Sequence, residues 1–112
     1  MFSCNNLIDE VCELAALLSS QLEREAREAQ EPVKHQIASG LEVLNSYIDK
    51  LGSARERASQ ADILKAVNSF TGVSKGLLEQ GWLGSNSIAR ETAWSVTKSA
   101  IRASACLREG GM

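Results

Sequence analysis

The sequence predicts an all-α protein, a small helical bundle of four main helices plus one short helix, completed by homodimerisation. Three observations carry this. Apolar residues recur at three- and four-residue steps nearly throughout. No run of four to eight residues alternates apolar and polar with β-branched enrichment. One proline in 112 residues leaves room for long helices. That length makes a single helical domain, 1–112, with short disordered ends at 1–4 and 109–112.

The first helix is expected to start after Asn5 or Asn6 as N-cap, with Asp9 and Glu10 placed against the positive end of its dipole. Its apolar stripe is Leu7, Val11, Leu14, Leu18 and Leu22, widened by Ile8, Cys12 and Ala15. From Glu23 to Glu31 only alanines remain on that face, so this half projects into solvent or meets something polar. Glu23 and Arg27 form a favourably oriented pair one turn apart. Pro32 ends the helix, because it lacks an amide proton and disfavours the α region at Glu31.

Proline suits the first position of a new helix, and the second runs from Pro32 to Leu51 on Val33, Ile37, Leu41, Leu44, Ile48 and Leu51. Gly52-Ser53 is its expected stop. Gly40, beside that face, marks either a helix crossing or an ordinary helix defect. The third helix has two capping boxes to start from, Ser53 with Glu56 or Ser59 with Asp62, and an apolar face of Ala58, Ala61, Leu64, Val67 and Phe70. Glycines at 72, 76, 81 and 84 then read as an irregular connection holding a short helix around Val73, Leu77 and Leu78. The last helix spans Ile88 to Leu107 after Ser85-Asn86-Ser87 and is rich in alanine and serine, which permits close helix approach.

The formal charge of −2 supplies no field for a polyanion or an anionic membrane. No apolar run approaches a membrane span, and the first residues lack the positive-then-apolar order of a secretory signal. A cytoplasmic location is therefore expected. There Cys4, Cys12 and Cys106 would be thiols, with Cys12 and Cys106 as small apolar filler and Cys4 the one to test for pairing between chains.

Catalytic chemistry finds little to use. The single histidine, His35, reads as a surface residue, and no sequence context joins it to a cysteine nucleophile. Metal-ligand spacings, a P-loop and a dinucleotide fingerprint are missing from the sequence. No catalytic residue, cofactor or metal is expected, and the chain is read as a non-enzyme.

Charge is uneven along the chain. Residues 9–31 hold seven acids against two bases, and residues 88–108 hold four bases against one acid. The first helix is thus acidic and the last basic, a weak complementarity within a bundle or across a dimer. Of five aromatic residues, Trp94 is expected in the core, while Trp82 either caps the bundle or anchors a partner.

The reading that remains is a small cytoplasmic regulatory protein that binds another protein through a helical apolar face and inhibits or modulates it, in the manner of an antiactivator. Its expected anchors are Leu14, Leu18, Leu22, Trp82 and Leu83. The alternative is a helical dimeric DNA-binding regulator using Arg90, Lys98 and Arg102 on the basic last helix.

Overall fold

The computed structural model describes residues 4–80 and 87–109, and among these it is all-helical. Four helices follow one another: α1 (Cys4–Glu28), α2 (Val33–Glu56), α3 (Gln60–Leu78) and α4 (Ile88–Arg108). Neighbours in sequence pack together and α4 returns against α1, giving a four-helix bundle. The side-chain links fix the directions. Asp9 meets Arg55, Tyr47 meets Phe70, Ser74 meets Thr97 and Cys4 meets Cys106, so each adjacent pair is antiparallel.

The α1 stripe is buried as its spacing predicts, through Leu7, Ile8, Val11, Ala15, Leu18 and Leu22, with Leu14 half-buried. In α2, Ile37, Leu44 and Leu51 point inward, and Phe70 of α3 fills the centre with the Tyr47 ring edge-on at 6.5 Å. The apolar face of α4 is almost wholly small: Ala89, Ala93, Ala100 and Ala103 around Val96. Such a face lets two helices approach closely, and α4 packs most extensively of all against α3 and α1.

Three boundaries depart from the sequence expectation, the first being that α1 already runs from Cys4, so that Asn5 and Asn6 lie inside it rather than capping it. The second helix does not stop at Gly52-Ser53 but continues to Glu56. It closes where Ala58 adopts φ 53°, with the Ala58 amide donating to Arg55 O and the Ser59 amide to Ala54 O. That is the Schellman pattern, with alanine in the position glycine usually takes. Of the two capping boxes, Ser59 is the one used, its hydroxyl accepting from the Asp62 amide. Third, α3 passes unbroken through Gly72 and Gly76, so Val73, Leu77 and Leu78 belong to it rather than to a separate short helix. Gly81 and Gly84 lie outside the described residues.

The cysteines bring the largest correction. Cys4 and Cys106, expected as thiols, form a disulfide with Cα atoms 5.8 Å apart across 102 residues of sequence. Cys4 is fully buried in α1, not part of a disordered end, and is paired within its own chain. Two antiparallel helices whose ends coincide bring the first and last cysteines together, which an odd count and wide spacing conceal. No helix among the described residues is long and apolar enough to cross a membrane.

Candidate interaction surface

The expected anchors divide. Leu18 and Leu22 are completely buried and hold α1 to its neighbours, so neither reaches a partner while the bundle is closed. The regular spacing that picked them out is the core stripe itself. Leu14 is half-buried, and Trp82 and Leu83 lie outside the described residues. The polar half of α1 meets the start of α4: the Ser87 hydroxyl donates to the Glu25 carboxylate at 2.8 and 3.0 Å. A carboxylate there is favoured by the positive end of the α4 dipole.

The basic patch is not one surface. Arg90 donates to the Leu78 carbonyl oxygen at 3.1 Å and so ties α4 to the end of α3. Lys98 and Arg102 remain exposed, with the Lys98 ammonium 5.8 Å from the centre of the Trp94 ring. Trp94 itself is 53% exposed, contrary to the expectation that it is core. The inward phase of α4 is set by its alanines, and Trp94 falls on the opposite face beside Ile101, also 53% exposed.

A polar cluster joins α1 to α2. Arg55 donates to Asp9 at 2.6 Å and lies 3.5 Å from the Cys12 sulfur. The hydrogen bond to Asp9 holds the Arg55 pKa above its ordinary value, against a smaller opposing effect of burial, and Cys12 adds to the rise. Arginine is charged throughout the working pH range either way.

The α2–α3 seam contains a feature the sequence did not disclose. Between His35, Gly40 and Val43 of α2 and Gly72, Val73, Gly76 and Leu77 of α3 lies a cavity of about 410 Å³, open to solvent. A groove continues from it past Ser39, Val43, Tyr47 and Lys50 toward Arg57, Lys65 and Ser69. A side chain built at Gly72 or Gly76 would meet nothing within 4 Å, so neither glycine is demanded by packing among the described residues. Each nevertheless costs about 1 kcal/mol of helix propensity relative to alanine. The sequence signal was available: two glycines one turn apart inside a run that otherwise keeps helical spacing.

Charge along this groove is mostly positive. Asp62 is engaged by Arg57 at 3.3 Å, leaving Lys50 and Lys65 against Glu42. Lys50 lies over the Tyr47 ring at 4.7 Å. Comparison with protein-family models, curated proteins and solved structures found no match for the chain.

Proposed function

We propose that the protein is a non-catalytic regulatory protein that acts by binding another protein, which it inhibits or modulates, and that the α2–α3 groove is where it binds. The observation that carries this reading is the 410 Å³ opening lined by Gly72 and Gly76, two glycines that packing among the described residues does not require. A local rule broken with no internal gain is the mark of a functional position.

The occupant that fits is an amphipathic helix of a partner, with small apolar side chains on one face and acids along its edge. Val43, Val73 and Leu77 offer apolar contact, the glycines allow backbone approach, and Lys50 and Lys65 meet the acids. From His35 to Arg57 the groove follows about 30 Å of helix, enough for roughly five turns of a docked segment.

The sequence also led to an expected cytoplasmic location. That holds if Cys4 and Cys106 are thiols in the cell, whereas their bond favours an oxidising compartment. Alkylation of free thiols at the moment of lysis separates the two.

The binding test compares wild type with Gly76→Leu, in which a side chain enters the open groove. Both tagged proteins are exposed to the native lysate at low and high salt, with nuclease. A protein held by wild type at both salts and lost by Gly76→Leu supports the reading; a partner held equally by both rejects it. Retention of nucleic acid alone, lost at high salt, would move the function to DNA binding.

A further inference from the structure

Near the α2–α3 turn the walls of the groove become cationic. Lys50, Arg57 and Lys65 line one pocket there, about 480 Å³ in volume, together with Ser53 and Ser69. Lys50 comes from α2, Arg57 from its C-cap and Lys65 from α3, so both helices contribute. Among the described residues Asp62 is the one acid on its wall, and Arg57 already engages it at 3.3 Å. Neither lysine forms an ion pair among the described residues; the Lys50 ammonium lies over the Tyr47 ring at the pocket wall instead. Glu42 lines only the adjoining stretch of groove, about 12 Å before Lys50 along the helix.

We infer that this pocket binds a phosphoryl group, carried on a phosphorylated side chain of the segment that docks in the groove. Charge decides between anions. Against Asp62 the three cations leave two positive charges uncompensated. A phosphomonoester, at roughly −1.5 to −2 near neutral pH, answers both, whereas a carboxylate answers one. The donors agree with this. The Arg57 guanidinium has N–H groups left beyond the Nη2 that meets Asp62, the two ammonium groups add point charges, and the Ser53 hydroxyl is uncommitted among the described residues. The bearer follows from the groove. The pocket is continuous through Tyr47 and Lys50, then Ser39 and Val43, with the opening beside Gly72 and Gly76, so a chain lying along α2 carries a side chain into it. The choice of a protein side chain rests on the groove being a docking face, whereas the pocket's match to a dianion stands without it.

Backbone amide chemical shifts of the full oxidised chain, isotope-labelled and held at constant ionic strength, read this binding without any partner. The probes are N-acetyl-O-phosphoserine N-methylamide, the corresponding aspartate amide and inorganic phosphate. The phosphoserine amide is expected to give saturable shifts around Lys50, Arg57 and Lys65 and to bind about tenfold or more tighter than the aspartate amide. Lys50→Gln combined with Lys65→Gln is expected to weaken it about tenfold or more. Lys75→Gln, which changes an exposed lysine of α3 outside the pocket, is expected to leave it unchanged. All three lysines are on the surface, so each variant should keep the helical circular dichroism spectrum. No saturable binding, equal affinity for the aspartate amide, or equal losses from the lysine pair and from Lys75→Gln overturns the inference. Inorganic phosphate bound with the phosphoserine amide excluded removes the protein side chain as bearer and overturns it too. A phosphatase-treated partner still held by wild type and lost by Gly76→Leu overturns it while leaving the docking face intact.

Discussion

Along the α1–α4 seam, a row of alanines lets two helices meet closely and Cys4–Cys106 binds their ends together. Along the α2–α3 seam, glycines line about 410 Å³ left open between the helices. Small residues thus do opposite things in one bundle. Where the partner helix closes in, a missing side chain becomes contact; where it does not, the same absence becomes a groove. What decides is whether anything else holds the helices together. The α3–α4 seam has the Ser74–Thr97 hydroxyl pair at 2.7 Å and Ser104 donating to Asn68 at 2.6 Å. The α2–α3 seam has the Tyr47–Phe70 contact and an Arg57–Asp62 pair near its turn, and among the described residues nothing comparable beside Gly72 and Gly76.

The contrast breaks most visibly at the disulfide. Cys4→Ser with Cys106→Ser frees a loop of 102 residues and is expected to cost roughly 4 kcal/mol in chemical denaturation. A loss under about 1 kcal/mol would show that the closed seam does not depend on the bond. Leu18→Ala, next in size, should destabilise by about 2–5 kcal/mol, as truncation of a fully buried leucine does. A stable Leu18→Ala variant would return that residue to the list of partner contacts.

On the open side the sign reverses. Gly72→Ala and Gly76→Ala should each raise stability by about 0.5–1 kcal/mol, because alanine favours the helix and meets nothing in the groove. A thermal melt shifted downward would mean that the seam is closed in solution. Ala58→Gly should add about 1 kcal/mol by removing the cost of alanine in a left-handed conformation, visible as a higher denaturation midpoint. The smallest effect is at the surface. Asp9→Asn should cost less than about 1 kcal/mol, with most of the difference gone in high salt, since both members of the Asp9–Arg55 pair are partly in water.

The helices and the inward faces of α1 and α2 were legible in the sequence, because burial imposes a period that Leu7 to Leu22 and Val33 to Leu51 display; of the face expected for α3 only Val67 and Phe70 are buried, Ala61 is exposed, and Ile63 and Ala66 point inward instead. The ends were less so. Gly52 resembles a stop signal, yet the helix passes it because Ala54 is buried beyond it and the turn at Ala58 makes its own cap. Trp94 was misread because its size suggested the core, whereas a face of alanines had already fixed the phase of α4. The groove stayed hidden for a different reason: a glycine in a helix reads as a defect until its surroundings are known. The disulfide depends on two chain ends meeting, which no local pattern encodes.

The central claim is that the open seam is the docking face and the closed one is scaffold. Hydrogen exchange of the backbone amides, with and without the captured partner, tests this most directly. Protection gained on binding is expected at residues 35–43 and 72–80, with α1 unchanged. Protection confined to α1 or the outer face of α4, with no change along the groove, would contradict it.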